Sequence, residues 1–333
     1  MTRAAVLGCG SWGTAFAMVL ADAGGEVTMW GRRQALVDQI TGEHVNGDYL
    51  PELVLPATVR ATTDPAEALK DAELVVLAVP SQSLRHNLSQ WRELLPARAP
   101  LVSLLKGVEL GTTKRMSEVV TEVAGVEPER VVVVSGPNLA HEIAQRQPAA
   151  SVVSCVDHDT ADQVAHACAT SWFRPYTGTD VVGTELGGAV KNIIAMAVGM
   201  AHGLGLGDNS KATIVTRGLA ETARLGQALG AEPSTFSGLA GVGDLVATCM
   251  SPLSRNRSFG EALGRGESVA DVVAHTRQTA EGVTSCVSIL ELARAHDVEV
   301  PITEGVVGVV HHGVSPSEMG RSLLARARRP EAG

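Results

Sequence analysis

The chain has 333 residues, 45% of them hydrophobic, which is long enough for two domains and a sizeable core. A net charge of −9 and an isoelectric point near 5.6 exclude affinity for nucleic acid or membrane surfaces driven by overall charge, while local anion sites stay open. The five cysteines, Cys9, Cys155, Cys168, Cys249 and Cys286, are scattered without metal-ligand spacing, so a reduced, cytoplasmic protein with neither a disulfide framework nor a metal is expected.

From the N-terminus, Arg3 followed by an apolar run ending "AMVLADA" has the outline of a secretory leader. Its cleavage would remove a complete glycine turn that fits the flanking strand and helix. β-rich runs "RAAVL", "EVTMW", "LVVLAV", "LVSLL", "RVVVV" and "ASVVSC" then alternate with helical stretches, which predicts βαβ units and a parallel sheet. An α/β N-terminal Rossmann-like dinucleotide-binding domain is therefore expected over residues 1–183. After Gly183 the β-rich runs thin out, and alanine, leucine and glycine dominate segments such as 185–203 and 211–229, which predicts an all-α C-terminal domain over 184–333. No segment is expected to span a membrane. The most apolar one, following Lys191, is broken by His202 and several glycines before it reaches about 20 residues.

The first strand runs into "GCGSWG", placing Gly8, Gly10 and Gly13 in the G-x-G-x-x-G order before a small, helix-forming run. Gly8 permits the tight turn, Gly10 lets backbone approach a pyrophosphate, and Gly13 allows close helix-to-strand packing, with the helix N-terminus supplying N–H donors. The second strand ends "WGRR", with no acid to bind a ribose 2′-hydroxyl. Arg32 and Arg33 can instead pair with a 2′-phosphate, so NADP as well as NAD is expected; the alternative is two solvated arginines on a loop. Further strands end at "AVPSQ", at "LLKG" with Lys106, and at "VSGPN" with Gly136, Pro137 and Asn138, all on the edge where open α/β sheets bind ligands.

In the second half, "ELGGAVKNIIAMAVGMAHG" sets Lys191 on an apolar helix whose neighbours on the same face are Gly187, Gly188, Ile194 and Ala195. Such a lysine either snorkels to water or is buried beside an anionic ligand. A second cluster, "GLAGVGDLVATCMSPLSRNRSFG", holds Asp244, Thr248, Ser254, Arg255, Asn256 and Arg257. Arg255 and Asn256 suit a phosphate, and Asp244 either holds an active lysine or caps the helix after Gly243.

Taken together, "GSWGTAFA", "NGDYLPELVLP", "LLKGVE", "VSGPNLAHEIA", "ELGGAVKNIIAMAVGM", "TRGLAETARLGQALGA", "GLAGVGDLVATC", "SRNRSFG" and "PITEGV", in this order, resemble the bacterial NAD(P)-dependent glycerol-3-phosphate dehydrogenase family over nearly the whole chain. The resemblance implies reduction of dihydroxyacetone phosphate to sn-glycerol 3-phosphate, feeding glycerophospholipid synthesis. It puts Lys191 on the catalytic lysine and Lys106, Gly136, Asn138, Asp244, Ser254, Arg255 and Asn256 on substrate contacts. Ser11, Trp12, Arg32, Arg33, Lys106, Ala140, Arg255, Thr279 and Glu281 fall on cofactor contacts beside the glycines. Cys9 stands where the family usually has alanine, and Asn138 where it often has serine or threonine, which leaves affinity and redox sensitivity open. A β-hydroxyacid dehydrogenase shares the two-domain plan but takes carboxylates. A non-catalytic NADP sensor would need neither Lys191 nor the "SRNR" loop. The oligomeric state does not follow from the sequence, and a homodimer is allowed.

Overall fold

The computed structural model describes residues 1–275 and 280–327. Its strands are β1 (Arg3–Leu7), β2 (Glu26–Trp30), β3 (Val45–Asn46), β4 (Leu50–Val54), β5 (Val59–Thr62), β6 (Leu74–Leu77), β7 (Leu101–Ser103), β8 (Val131–Ser135), β9 (Ala149–Ser154) and β10 (Phe173–Gly178). Eight form one sheet in the order β10-β9-β8-β7-β6-β1-β2-β5, and β3 and β4 pair separately as an antiparallel hairpin. Covered by apolar clusters on both faces, β6 and β8 can be continuous "LVVL" and "VVVVS", every residue of them buried.

The six expected strands are all present, but the sheet is not wholly parallel. β9 runs antiparallel to β8, and β10 then runs parallel to β9. The cause lies in the connection after β8, whose helix Ala140–Ala144 has five residues and rises only ~7.5 Å, too little to carry the chain back along the sheet. The sequence reading also passed over β5 and β10. Both are edge strands: β5 has only four residues, and β10 carries Pro175, which an edge tolerates.

The last strand ends at Gly178 and a single helix, Val181–Gly203, follows, so the expected division at 183/184 falls inside that helix's first turn. Asp180 starts it by accepting the Gly183 N–H at 2.8 Å. Contrary to expectation, neither His202 nor the glycines interrupt it: its 23 residues are long and apolar enough to cross a membrane by length and composition. Buried neighbours explain the composition instead, because 94% of its most apolar window lies inside the protein.

Glycine draws the next helix, Arg255–Gly264, onto this central one. A Cβ built on Gly199 would lie 2.0 Å from the Arg257 carbonyl oxygen and one on Gly203 2.2 Å from that of Glu261. Reciprocally, Gly260 and Gly264 face the carbonyls of Met196 and Met200 at 2.0 and 2.3 Å. Four glycines at a spacing of four thus let two backbones touch. Elsewhere the buried Glu221 carboxylate accepts from the Ile302 and Thr303 N–H groups at 2.8 and 3.0 Å, tying the helix Pro301–His312 to the helix Asp208–Ala228.

Gly199→Ala therefore forces the Arg255–Gly264 helix outward. The expected result is a loss of about 1–3 kcal/mol, read as a lowered unfolding midpoint, with no comparable loss for Gly320→Ala, where a Cβ meets nothing within 4 Å.

Candidate active site

The glycine turn divides its labour as the spacing suggests. Gly8 has φ +136°, and a Cβ there would lie 2.4 Å from the Ala78 carbonyl oxygen, so the turn excludes any side chain. A Cβ on Gly13 would strike the Gly8 carbonyl at 2.4 Å, the close approach of helix to strand. Gly10 differs, because a Cβ there would meet no protein atom within 4 Å. Gly10 caps the helix Ser11–Asp22 without a side-chain hydrogen bond and with no acid in the first turn. The open space and the donors suit a pyrophosphate. Trp12 packs edge-on to Phe16 at 5.6 Å, with its indole nitrogen buried and unpartnered by protein.

Beside this turn, Arg32 and Arg33 are both exposed at the carboxyl end of β2, where Arg33 Nη1 pairs with Asp48 at 2.5 Å. Cys9 is buried and donates to the Trp30 carbonyl at 3.3 Å, and burial pushes its thiol up to about 12. Buried and hydrogen-bonded in this way, Cys9 packs beneath the glycine turn.

Lys191 does not snorkel. It is buried, and its ammonium donates to Asp244 Oδ1 and, at 2.8 Å, to Thr248 Oγ1. The other Asp244 oxygen accepts from Lys106 Nζ at 2.7 Å, and Lys106 also donates to the Gly136 carbonyl at 3.2 Å. One carboxylate, 1% exposed, thus holds two ammoniums that lie 85 residues apart in sequence. Asp244 is the first residue of the helix Asp244–Met250 and makes no cap; Gly243 stands in the cap position. The small residues beside Lys191 make room for protein. A Cβ on Gly187 would lie 2.2 Å from the Ala240 carbonyl, and one on Gly188 would touch Ser135 Oγ at 2.8 Å and the Lys106 stem at 3.4 Å.

Burial pulls the Lys191 ammonium down to about 7; Asp244 opposes that and Lys106 adds to it. Glu281, at the start of the helix Glu281–Ala295, faces the same cluster. Burial raises its carboxyl, against the influence of Arg255, the Ser81 backbone, Lys106 and Lys191.

The remaining predicted residues ring this group. Ser254 caps the helix Arg255–Gly264 by accepting the Arg257 N–H at 3.3 Å, which sets Arg255 on its first turn. Asn256 Oδ1 accepts the Gly282 N–H at 3.0 Å, so its amide donors are what it can offer a phosphate. Asn138 Nδ2 donates to Ser151 Oγ at 2.9 Å, its Oδ1 is buried without a protein partner, and Ala140 opens the short helix that follows. Thr279 lies outside the described residues. Thr248 was named without a role; its place four residues after Asp244 on a helix is the signal that pairs them. Asn46 was missed altogether: buried on β3, it donates to the Cys9 carbonyl at 3.0 Å and Thr14 Oγ1 at 2.8 Å and so braces the glycine turn.

A glycine turn at the carboxyl edge of a mainly parallel sheet, together with a buried amine on a helical unit joined to that edge through Asp244 and Lys106, defines a dinucleotide-dependent oxidoreductase. Family models described as NAD-dependent glycerol-3-phosphate dehydrogenase N-terminus and C-terminus match residues 3–161 and 180–321. The glycerol-3-phosphate dehydrogenase (NAD(P)+) of Streptomyces griseus is 61% identical over 99% of this chain and 98% of its own, and that of Thermobifida fusca 58% over 99% of each. A solved glycerol-3-phosphate dehydrogenase from Coxiella burnetii superimposes with a TM-score of 0.93 at 36% identity, covering 98% of this chain and 99% of its own. The chain belongs to the NAD-dependent glycerol-3-phosphate dehydrogenase family.

The Lys191 environment can be tested through folding. A lysine whose amine is depressed to about 7 in the folded protein binds fewer protons there than in the unfolded chain between that value and its ordinary 10.5, so stability rises with pH across this window. Relative to Lys191→Met, which has no amine to titrate, wild type should therefore gain stability as pH climbs through and past 7, whichever of the two melts higher at pH 6. Thermal melts of both proteins from pH 6 to 9 check this.

Proposed function

We propose that the chain reduces dihydroxyacetone phosphate reversibly to sn-glycerol 3-phosphate with NADPH or NADH, for glycerophospholipid synthesis. The observation that carries this is the pair of lysines joined through buried Asp244 at the sheet edge that also bears the glycine turn. Residues 1–183 would bind the dinucleotide and residues 184–333 would complete the substrate site. The reading carries a cytoplasmic location and allows a homodimer.

Gly8, Gly10, Ser11, Trp12 and Gly13 would hold the pyrophosphate side of the cofactor, and Arg32 and Arg33 a 2′-phosphate. Ala140, Lys106, Arg255, Thr279 and Glu281 would complete its surroundings. When bound, the nicotinamide supplies a hydride to the carbonyl carbon. Lys191 gives a proton from Nζ to the alkoxide oxygen that results, and Asp244 and Thr248 hold that amine in place before and after transfer. Lys106 adds a second positive charge beside the same oxygen. Arg255, Asn256 and Ser254 take the substrate phosphate, so binding energy far from the carbon orients it, while Gly136 and Asn138 line the opposite wall.

The amine's value of about 7 means that its proton is held below neutrality and shared near it. Reduction, which needs the ammonium, should lose kcat as pH rises through this region, and oxidation, which needs the free amine, should gain it. Lys191→Ala should cut kcat at least about a hundredfold with cofactor binding nearly intact. The deciding assay follows NAD(P)H absorbance with dihydroxyacetone phosphate against a 3-oxo acid. Oxidation only with the acid would favour the hydroxyacid dehydrogenase, and none with either would favour a sensor.

Cofactor choice is tested at the end of β2. Changing Arg32 and Arg33 together to alanine should weaken NADPH by about 2–3 kcal/mol and NADH by less than about 1 kcal/mol, because only the former carries the phosphate. Asp48 competes for Arg33, so Asp48→Asn should strengthen NADPH alone. Fluorescence titration of both cofactors against the variants reads this, and parallel changes would show that the arginines do not discriminate.

A further inference from the structure

Asp244 bridges the two lysines, but a carboxylate shared by two flexible side chains does not by itself fix where their backbones sit. A second connection runs between the same two chain segments. Two residues past Lys106, Val108 forms an antiparallel bridge with Arg115, and the Glu109 N–H donates to the Lys114 carbonyl at 2.9 Å, folding the segment back on itself. The Val108 side chain is buried in the core around the central helix, and its carbonyl accepts from Gln82 Nε2 and Ser288 Oγ, each at 2.8 Å. Arg85 grips both Glu109 oxygens at 2.9 Å. The strap that carries Lys106 is thus held at every turn.

Arg115 then joins the strap to the central helix. Its Nη1 donates to Glu185 Oε2 at 2.7 Å, while the Ser117 N–H and Oγ donate to the same carboxylate at 2.7 and 2.6 Å. Glu185 is 5% exposed; burial raises its carboxyl, with Arg115 the largest opposing influence. Along the helix Glu185, Gly188 and Lys191 follow at a spacing of three, and they meet Arg115, the Lys106 stem and Asp244 in turn. A closed ring results: Lys106, the Val108–Arg115 bridge, Glu185, ~9 Å of helix to Lys191, then Asp244 and Lys106 again. A buried ion pair is a poor source of stability, since desolvation offsets its attraction, so its geometry is the better reason for it.

We infer that Arg115 and Glu185 are positioning residues whose ion pair fixes the separation of the Lys106 and Lys191 ammoniums, and with it the placement of the reacting oxygen between them. This rests on the reading that the two lysines meet that oxygen. It acts first on the chemical step, because Ser254, Arg255 and Asn256, which would take the substrate phosphate, and the glycine turn, which would take the pyrophosphate, lie on other elements.

The test is steady-state kinetics on the full chain with dihydroxyacetone phosphate and NADPH, at a temperature well below each melting point. Arg115→Met should lower kcat at least about tenfold while KM for the phosphate and Kd for NADPH stay within about threefold of wild type, as a displaced catalytic group predicts. Arg115→Lys, which returns the charge but not the fork of donors, should recover part of the loss. A kcat at the wild-type level, whatever the melting temperature, overturns the inference, and so does a loss of cofactor affinity that matches the loss of kcat. Should Arg115→Met not fold, Arg115→Lys decides by itself: kcat at least about threefold down with unchanged KM supports the inference, and wild-type kcat overturns it. A wild-type chain that does not turn over the phosphate overturns the functional reading, and the role of the pair with it.

Discussion

A single buried carboxylate with an ammonium on each oxygen is the constraint around which the protein is arranged. Asp244 is almost wholly excluded from solvent, and Lys106, Lys191 and the Thr248 hydroxyl are its side-chain partners. Three groups of charge +1, −1 and +1 leave a net positive site in a poorly solvated place. Burial is what draws the Lys191 amine far below its ordinary value, with Lys106 adding to it against Asp244, and the residual positive charge favours a ligand that brings negative charge.

Bringing these groups together requires backbones to approach more closely than side chains normally allow. Glycine is the means at each point. Gly187 admits the Ala240 carbonyl, which lets the segment Leu239–Gly243 lie against the central helix and deliver Asp244 at the start of the next one. Gly188 admits the stem of Lys106 from the strand edge. Gly199, Gly203, Gly260 and Gly264 do the same between two helices and so hold Arg255 and Asn256 close to the lysines. The glycine turn after β1 repeats the logic at Gly8 and Gly13, and departs from it at Gly10, where the space is open. Sites crowded by protein and a site left open thus look alike in sequence and differ only in what a side chain would meet.

The cysteines show the converse. All five are buried and unpaired, and four of them, Cys9, Cys168, Cys249 and Cys286, are pushed up to about 12 by burial. Cys249 sits on the helix that bears Asp244 and Thr248, yet the positive charge of Lys191 does not overcome the cost of burying a thiolate there. The chemistry near the lysines is left to amines and carboxylates.

How much could be read without the fold follows from the range of each interaction. The six buried strands, the glycine turn and the apolar lysine helix are local patterns, set by runs of adjacent residues, and the sequence reading found them. The β5 and β10 edges escaped because an edge needs neither length nor an apolar run, and the reversed direction of β9 escaped because a connection's length does not reveal that its helix is one turn long. At the site, Lys191, Lys106, Asp244, Arg255 and Asn256 were each legible as chemistry-bearing residues, but their alternatives were not separable. Whether Lys191 snorkelled or was buried, and whether Asp244 capped a helix or held an amine, depended on partners 53 and 138 residues away. The Arg115–Glu185 pair and the Asn46 brace carried no local signal at all. Sequence by itself determined which groups were available and which short elements would carry them, because propensity and periodicity act over a few residues. Only the tertiary structure decided which charges share a carboxylate, because burial and pairing are properties of the space that distant segments enclose together.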